Sequence, residues 1–313
     1  MDRLIVIVGP TASGKSSLAM QLALRFGCEI ISGDSMCVYR RMNIGTAKPS
    51  VEDRMQVPHH LIDIRNPGED FSVVDFQRLA GEAIASINQR GKIPILVGGT
   101  GLYVQALLEG YQFNPTPKTD LRTVLVKQAE DPSETILLHQ KLTVLDPEAA
   151  ERIHPNDRKR ILRALEVMTL ESQTISRRKT FNSPELSFDC LILGLSLERQ
   201  ELYQRIDARV DHMLEEGLVD EVRALMLAGL TEKSTALQAI GYKELLAYLN
   251  CAISLEAAVF QIKQASRRYA KRQLTWFRRM PYIQWVLQPE EAEEGENRFM
   301  STARQVAEKF SIK

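Results

Sequence analysis

The chain has 313 residues, of which 44% are apolar and 26% are charged, so it can bury a large core and is too apolar for extensive disorder. Lysine plus arginine and aspartate plus glutamate number 40 each, so the net charge indicates no polyanionic partner. The four cysteines form no C-x-x-C pair, which argues against a disulfide scaffold or a zinc knuckle. No stretch reaches membrane-spanning length, so we expect a cytoplasmic protein with no membrane partner.

A strand followed by a glycine-rich loop opens the chain. Residues Leu4–Val8, "LIVIV", predict a buried strand, and "GPTASGKSS" follows at 9–17. The spacing G-x-x-x-x-G-K-S is typical of a phosphate-binding loop, in which backbone N–H groups and Lys15 contact phosphates and the Ser16 hydroxyl can ligate Mg²⁺. Apolar residues at helical spacing over 17–26 predict a helix whose N-terminus points at the phosphates. The alternative is a glycine-rich turn that binds nothing.

Strands and helices then alternate. Further strands are predicted at Glu29–Ser32, Leu61–Ile64 and Ile93–Val97, and a helix is predicted at Val73–Gln89. This alternation predicts an α/β fold of the P-loop NTPase-like kind, with a parallel sheet, flanking helices and a helical insertion domain. Ligands of such sheets bind beyond the carboxyl ends of the strands, which here means residues 9–16, 32–49 and 98–103.

A helical segment interrupts the alternation. "NPTPKTD" at 114–120 is typical of a linker, helical periodicity follows, and a strand returns at 190–197. We therefore predict a core made of 1–112 and 188–313 and a helical insertion domain at 113–187. After it, helices are predicted at Leu202–Leu214, Val219–Ala228 and Leu255–Phe277, with "YIQWVL" at 282–287 as a candidate strand. No heptad seam is evident, so a monomer is expected.

Two polar residues follow predicted strands at the ligand edge. Asp34, in "ISGDS", can bind Mg²⁺ through water or accept a proton from a substrate; alternatively it caps a turn. Thr100 lies in the glycine-dense "VGGTGLY" at 97–103, where the glycines permit close approach of a ligand and the hydroxyl can donate to an anionic oxygen. The alternative for this segment is a tight turn alone.

A pair of arginines occupies one predicted helical face. Arg205 and Arg209 lie four residues apart, and guanidinium groups suit a diphosphate. Such a pair is more often solvated or bridged to neighbours such as Asp207 or Glu201, and the residues alone favour that interpretation.

Two basic clusters suggest a nucleic-acid surface. "HPNDRKRILRALEVM" at 154–168 predicts a helix that begins at Asn156 or Asp157 and carries cations on one side: Lys159, Arg160 and Arg163. In the long predicted helix, Lys263, Arg267 and Lys271 recur every four residues beside Tyr269 and Trp276. Cations interleaved with aromatic rings suit a phosphodiester backbone and unstacked bases. A charged solvated helix face is the usual alternative.

Adjacent histidines, His59 and His60 in "VPHHLIDI", raise the question of a metal site. Neighbouring residues on a strand point in opposite directions, and no cysteine or third histidine lies at ligand spacing. Metal ligation is therefore disfavoured.

Two classes of function remain open from the residues alone. The first is a nucleotide kinase or ATPase that binds ATP in the loop and uses Asp34 to hold Mg²⁺ or to activate an acceptor. The second is an enzyme that acts on RNA, with a small phosphorylated co-substrate in the loop and a polynucleotide along the basic clusters. The basic clusters discriminate only weakly between them.

Seven segments, in this order, resemble the bacterial tRNA dimethylallyltransferase (tRNA isopentenyltransferase) family: "GPTASGKS", "DSMCVYRRMNIGTAKP", "PHHLIDI", "GGTGLY", "HPNDRKRILRALEV", "AIGYKE" and "YAKRQLTWFR". The resemblance implies transfer of the dimethylallyl group of dimethylallyl diphosphate to N6 of adenosine 37, next to the anticodon of tRNA. It implies that the loop binds the prenyl diphosphate, with ATP excluded or secondary, and that Mg²⁺ neutralises the diphosphate. The RNA partner would be the anticodon stem-loop.

The resemblance also assigns roles to residues of this chain. Asp34 would accept the N6 proton, Thr100 would bond the leaving group near the scissile C–O bond, and Lys15 and Arg209 would stabilise the diphosphate. The diphosphate-binding residues would be Gly9, Thr11, Ala12, Ser13, Gly14, Lys15 and Ser16, with Ser16 near Mg²⁺. The tRNA-binding residues would be Asp34, Ser35, Met36, Cys37, Thr100, Lys159, Arg160, Arg163, Gln238, Gly241, Tyr242, Lys243, Lys271, Arg272, Gln273 and Arg278.

One residue departs from the family pattern. Many members have glutamine at the position of Cys37, which gives D-S-x-Q where this chain reads "DSMC". A thiol cannot supply the paired donor and acceptor of an amide. A direct contact from Cys37 to a base edge is therefore in doubt.

Overall fold

The computed structural model describes residues 1–113, 120–129, 131–171, 185–232, 234–286 and 298–312. Contacts divide the chain into two units, residues 1–111 with 186–313 and residues 112–185. The boundaries predicted from the sequence lie at 113 and 187. Within the described residues, no helix is long and apolar enough to cross a membrane.

The first unit is built on a parallel sheet. Its strands, among the described residues, are β1 Arg3–Val8, β2 Glu29–Ser32, β3 His59–His60, β4 Pro94–Gly98, β5 Asp189–Leu195 and β6 Gln284–Val286. They lie in the order β3-β2-β4-β1-β5-β6, and all neighbours run parallel. The α/β class is confirmed. Because parallel strands end at the same edge, the segments that follow β1, β2 and β4 meet there.

The described helices are α1 Lys15–Phe26, α2 Val51–Gln56, α3 Val73–Gln89, α4 Gly101–Leu108, α5 Asp120–Gln128, α6 Pro132–Leu145, α7 Pro147–Arg152, α8 Arg158–Glu171, α9 Arg199–Glu215, α10 Leu218–Leu227, α11 Tyr242–Leu249, α12 Leu255–Phe277 and α13 Arg298–Phe310. Helices α5–α8 belong to the second unit and the others to the first. The predicted bounds of α3 and α12 are confirmed. Ser72 and Ser254 cap the N-termini of these two helices, and this explains why the first residue of each helix can be predicted from the sequence.

The side chains of β1 alternate between two hydrophobic clusters, one on each face of the sheet. Leu4, Val6 and Val8 pack with residues of α3, α4 and α12, whereas Ile5 and Ile7 pack with residues of α1 and α13. All five are fully buried. Burial on both faces explains why the central strand is a continuous apolar run.

The strand predicted at Leu61–Ile64 is wrong, because β3 comprises His59–His60. Leu61 and Asp63 have positive φ angles of 62° and 57°, which end the extended backbone. The Asp63 carboxylate accepts hydrogen bonds from Lys48 Nζ at 2.6 Å and Arg54 Nη1 at 2.7 Å. Leu61 is nevertheless buried, and the Asp63 contacts hold the turn that contains it.

Glu29, the first residue of β2, is a buried carboxylate with three basic partners. It lies 2.7 Å from Arg90 Nη2, 3.1 Å from Lys92 Nζ and 2.8 Å from His60 Nε2. Burial raises the pKa of this carboxyl, but hydrogen bonds from Arg90, His60 and Lys92 outweigh burial and lower the pKa to about 2. His60 therefore serves this ion-pair cluster, and the neighbouring His59 bonds the carbonyl of Val57 at 2.7 Å.

We expect Glu29→Gln to lower the free energy of unfolding by about 3 kcal/mol at neutral pH, the differential stability carried by a pKa shift of this size. Because the folded-state pKa is depressed, the stabilisation is complete above the unfolded pKa of about 4.3 and is lost as the pH falls toward 2. Urea titrations at several pH values measure the difference. Glu82→Gln, which removes an exposed ion pair with Arg78, is the control and should cost less than about 0.5 kcal/mol. A Glu29→Gln deficit that stays constant down to acid pH would contradict this assignment.

The second unit has a core of its own. Residues of α5–α8 form one hydrophobic cluster in which Leu142, Ile161 and Ala164 are fully buried. The predicted apolar stripe of α8 faces this cluster, with Ile161 and Leu165 inside it and Leu162 and Met168 packed against it. Helix α8 therefore turns its basic residues away from the core of this unit.

Candidate active site

The predicted phosphate-binding loop, hereafter the phosphate loop, connects β1 to α1. A Cβ at Gly9 would lie 2.6 Å from the carbonyl oxygen of Leu195, and Gly14 has a φ of 86°, so both positions require glycine. Helix α1 begins at Lys15, directly after the second glycine. The Lys15 ammonium donates to the carbonyl of Pro10 at 3.0 Å and so lies across the loop. The loop thus presents a helix N-terminus and a lysine to the same space, as anion binding requires.

Asp34 lies two residues beyond β2. Its Oδ1 accepts a hydrogen bond from the backbone N–H of Met36 at 2.8 Å, which is the turn-capping contact expected of aspartate. The same side chain lines the cavity described below. The two interpretations of Asp34 are therefore compatible, because one carboxylate oxygen caps the turn and the other remains for chemistry.

Two of the cations that line the cavity, Lys15 and Arg209, interact electrostatically with Asp34. Burial lowers the pKa of Lys15 to about 8, repulsion from Arg209 adds to the shift, and attraction to Asp34 opposes it. Burial also lowers the pKa of Arg209, again opposed by Asp34. Lys15 and Arg209 thus carry two positive charges beside the single negative charge of Asp34. A bound anion would stabilise the protonated forms of both cations and so raise their pKa values again.

The arginine pair on α9 divides between two environments. Arg205 lies 2.7 Å from Glu201 and is half-exposed, as the ion-pair interpretation predicts. Asp207 accepts from Arg267 at 2.6 and 2.7 Å, and Arg209 lines the cavity. The interpretation of Arg209 as solvated or bridged to Asp207 is therefore wrong, because α12 supplies the partner of that carboxylate.

Thr100 joins the turn after β4 to the segment after β2. Its Oγ1 accepts the backbone N–H of Ser35 at 3.2 Å. The hydroxyl of Tyr269, on α12, is hydrogen-bonded to Thr100 and Gln273, and burial raises its pKa to about 12, so it is protonated at neutral pH. Tyr269 faces the cavity. The sequence marks it as an aromatic residue of a basic helix and gives no signal that its hydroxyl faces the site.

The glycines of this turn accommodate protein atoms. A Cβ at Gly98 would lie 2.6 Å from the carbonyl oxygen of Gly33, one at Gly99 2.2 Å from Gln273 Nε2, and one at Gly101 2.5 Å from the Trp276 indole. The turn is therefore closely packed against Gly33 and α12, and Gly98 and Gly99 also line the cavity, so the approach of a ligand to this turn stays a prediction.

The segment that follows Asp34 is held by hydrogen bonds to one carboxylate. The Glu221 carboxylate accepts the backbone N–H groups of Asn43, Ile44 and Gly45 at 2.8, 2.9 and 3.2 Å. It also accepts the hydroxyl of the fully buried Tyr242 at 2.6 Å. Helices α10 and α11 thereby fix one wall of the cavity. Sequence reasoning missed Glu221, since no local pattern separates it from other charged residues of α10.

Cys37 lies in the same wall and is nearly completely buried. Its Sγ lies 3.9 Å from the carbonyl oxygen of Thr46, and burial raises the thiol pKa well above its usual value. The side chain is a small neutral group at the cavity surface. It cannot supply the paired donor and acceptor of an amide.

These segments enclose one cavity of about 730 Å³ in the first unit. Of the residues predicted for the site, those that line it are Thr11, Lys15, Ser16, Asp34, Ser35, Met36, Cys37, Arg209, Gln238, Gly241, Arg272 and Gln273. Gly9, Ala12, Ser13 and Gly14 belong to the loop itself. The volume is that of a pocket for a small molecule.

The predicted RNA-binding cations differ in their pairing. On α12, Lys263 lies 2.6 Å from Asp211 and Arg267 contacts Asp207, whereas Lys271, Arg272 and Arg278 are exposed. The basic face of α12 is therefore concentrated toward its C-terminal half. Lys243, on α11, is also exposed.

On α8 of the second unit, Lys159 is exposed, Arg160 lies 3.4 Å from Asp157, and Arg163 lies 2.9 Å from Glu166. Two of the three predicted cations of this helix therefore have carboxylate neighbours three residues away. Both of these arginines remain at least 40% exposed. Their guanidinium groups can still reach a phosphate by exchanging partners.

Comparison with known proteins identifies the family. The model of the IPP transferase family matches residues 37–280, and that of isopentenyl transferase matches residues 2–66. A tRNA dimethylallyltransferase of Geotalea uraniireducens is 50% identical over 289 residues, covering 92% of this chain and 93% of the relative. The chain belongs to the IPP transferase family.

Solved structures agree with this assignment. The tRNA isopentenylpyrophosphate transferase of Bacillus halodurans is 42% identical, with a TM-score of 0.72 over 99% of this chain and 97% of that one. A eukaryotic dimethylallyltransferase, crystallised in a study of its action on tRNA, is 31% identical, with a TM-score of 0.80 over 98% of this chain and 78% of that one. The similarity to this family thus extends over nearly the whole chain, including residues 112–185.

Proposed function

We propose that this protein is a tRNA dimethylallyltransferase, which transfers the dimethylallyl group of dimethylallyl diphosphate to N6 of adenosine 37 of tRNA and releases diphosphate. The observation that carries the proposal is one cavity lined by Lys15 and Ser16 of the phosphate loop, by Asp34 and by Arg209. Membership of the IPP transferase family supports the same chemistry. The cations match a diphosphate, and the carboxylate matches an acceptor that loses a proton.

In this reaction a bond forms between N6 and C1 of the dimethylallyl group while the C1–O bond breaks. The electron pair of that bond leaves with the diphosphate, and the N6 proton passes to the carboxylate of Asp34. N6 is a weak base that becomes acidic as it bonds to carbon, so an ionised carboxylate within reach is sufficient. The base must leave its stack to enter the cavity.

Diphosphate is stabilised as it departs by groups that are already in place. Lys15 and Arg209 supply positive charge, the end of the loop supplies backbone N–H groups from Gly14 to Ser16, and Thr100 supplies a hydroxyl near the bridging oxygen. Thr100 is held by Ser35 and Tyr269, so its hydroxyl has a defined orientation. A preorganised leaving-group site of this kind acts mainly on the transition state.

The donor atoms at the start of α1 fit a divalent cation that prefers oxygen. Ser16 is exposed at the N-terminus of this helix and lines the cavity, as does Asp34. A hydroxyl, diphosphate oxygens and water are ligands of the kind that Mg²⁺ takes. When bound, Mg²⁺ would neutralise part of the diphosphate charge, and we assign Ser16 as its protein ligand.

Most of the residues proposed to contact RNA are exposed or partly exposed, whereas Gly241 is buried. Lys159, Arg160 and Arg163 of α8 would contact the anticodon stem-loop, as would Gln238, Gly241 and Lys243 and the exposed cations Lys271, Arg272 and Arg278. Tyr242 and Gln273 are buried and bonded internally, and direct contact of these two with RNA stays a prediction. The substrate implies action in the cytoplasm, and we propose that the protein acts as a monomer.

Product analysis tests the proposed function. Unmodified tRNA is incubated with the protein, Mg²⁺ and dimethylallyl diphosphate, then digested to nucleosides for mass spectrometry. We expect adenosine carrying one dimethylallyl group, and its loss when adenosine 37 is replaced by guanosine. Product that persists in the substituted tRNA would contradict the assigned position.

Phosphate contact by α12 predicts a change in salt dependence. We expect Lys271→Ala to reduce the slope of log K against log salt by about one, because one fewer counterion is released on binding. Lys263→Ala is the matched control, since this lysine on the same helix is paired with Asp211 and should leave the slope unchanged. Filter binding of tRNA at several salt concentrations measures both. Equal slopes for wild type and Lys271→Ala would remove Lys271 from the phosphate contacts.

A further inference from the structure

Gln273 is a buried polar residue in the last turns of α12. Its side chain belongs to a residue that is 5% exposed, whereas its neighbours Lys271 and Arg272 are exposed. A buried amide is costly unless its donors and acceptor are all satisfied, so the identity of its partners indicates what it does.

The partners of Gln273 come from two separate loops of the site. Its Oε1 accepts the backbone N–H of Thr11, in the phosphate loop, at 2.9 Å. Its Nε2 donates to the carbonyl of Gly99, in the turn after β4, also at 2.9 Å. The amide is bonded in addition to the hydroxyl of Tyr269, which bonds Thr100. One side chain thus joins the proposed diphosphate site to the proposed leaving-group hydroxyl.

Only an amide of this length supplies both contacts. A carboxylate can accept from Thr11 but cannot donate to Gly99, and an apolar side chain can do neither. The fit is also close, because a Cβ at Gly99 would lie 2.2 Å from Nε2. Trp276, one turn further along α12, packs in the same way against Gly101. The turn therefore lies directly on α12 and is held there at two points.

We propose that Gln273 is a positioning residue that sets the geometry of the diphosphate site by fixing the phosphate loop relative to the glycine turn. This inference rests on the proposed function. Diphosphate is held largely by backbone N–H groups, whose positions depend on how the loop is anchored. Small displacements of such groups weaken binding and transition-state stabilisation together. Gln273 thereby acts on the donor diphosphate through the loop, from a helix whose exposed side carries the proposed RNA contacts.

Two variants test the proposal. For each, calorimetry measures the affinity of the free protein for inorganic pyrophosphate in the presence of Mg²⁺. Gln273→Glu keeps the size and the acceptor but loses the donor, and Gln273→Met loses both. We expect each to weaken pyrophosphate binding about tenfold or more. Circular dichroism checks the fold of both variants.

The pH dependence of the Glu variant distinguishes positioning from a general loss of structure. A protonated carboxyl accepts through one oxygen and donates through the other, so Gln273→Glu should recover affinity as the pH falls from about 8 to about 6. The ionisable groups lining the same cavity, Lys15, Asp34, Arg209, Tyr269 and Arg272 among them, are the same in every variant. The ratio of variant to wild type at each pH therefore reports position 273. Gln273→Met should show no recovery.

Wild-type pyrophosphate affinity in a folded Gln273→Met would overturn the proposal, as would a loss confined to tRNA affinity, which would make Gln273 an RNA contact. If the Met variant does not fold, the pH-dependent ratio of Gln273→Glu decides, and a flat ratio overturns the proposal. Prenyl transfer is assayed in parallel with wild-type protein. If pyrophosphate binding depends on Gln273 but the wild-type protein transfers no prenyl group, the proposed function alone is overturned.

Discussion

Replacing Asp34 with alanine is expected to lower kcat by roughly 10² or more, the usual contribution of a group that takes a proton in the transition state. The carboxylate lines the cavity with Lys15 and Arg209, and only one of its oxygens is used by the Met36 N–H. Affinity for tRNA should stay nearly unchanged, since the RNA is held mainly by exposed cations. Single-turnover assays with saturating tRNA and dimethylallyl diphosphate measure the chemical step.

Asp34→Asn is the sharper variant. Its Oδ1 can still accept the N–H of Met36, so the turn is preserved while the proton acceptor is removed. If proton transfer is the role of Asp34, the asparagine variant should be as slow as the alanine variant. Turnover close to wild type in Asp34→Asn would remove proton acceptance from the mechanism and leave only the capping role.

Replacing Lys15 with methionine is expected to lower kcat/KM for dimethylallyl diphosphate by about 10² to 10³, the loss seen when one preorganised donor to developing charge is removed. Lys15 lies over the loop, and burial, then repulsion from Arg209, depress its pKa to about 8. In the proposed mechanism, the protonated form of Lys15 binds the diphosphate. In wild-type protein, kcat/KM should therefore fall as the pH rises above about 8.

Lys15→Arg is the control for this titration. A guanidinium stays charged well beyond this range, so the alkaline fall in kcat/KM should disappear even if the absolute rate is lower. The hydroxyl of Tyr269, with a pKa of about 12, does not titrate in this interval. A fall near pH 8 that persists in Lys15→Arg would assign the titration to another group.

The parts of the site that the sequence predicts are those encoded within short segments. The loop, its helix and Asp34 depend on residues close together in the chain, so their spacing is informative. The caps of α3 and α12 are equally local. The strand predicted at Leu61–Ile64 is wrong because the sequence shows only that this segment is apolar. It does not show the positive φ angles or the contact of Asp63 with Lys48.

The contacts that organise the site connect distant residues. Gln273 and Thr11 are 262 positions apart, and Glu221 and Asn43 are 178 apart. No periodicity or spacing relates such residues. The arginines of α9 show the same limit, because Arg205 and Arg209 share a helical face yet one pairs with Glu201 and the other lines the cavity. The different environments of these two arginines depend on the packing of α12, which the sequence of α9 does not show.

We propose that the phosphate loop holds a prenyl diphosphate rather than ATP. A paired incubation distinguishes these two ligands: protein, Mg²⁺ and unmodified tRNA receive labelled dimethylallyl diphosphate in one sample and γ-labelled ATP in the other. We predict that label enters tRNA from the prenyl donor, that adenosine 37 is required, and that ATP is not turned over. Turnover of ATP alone would contradict the account and make the loop the site of a kinase or ATPase.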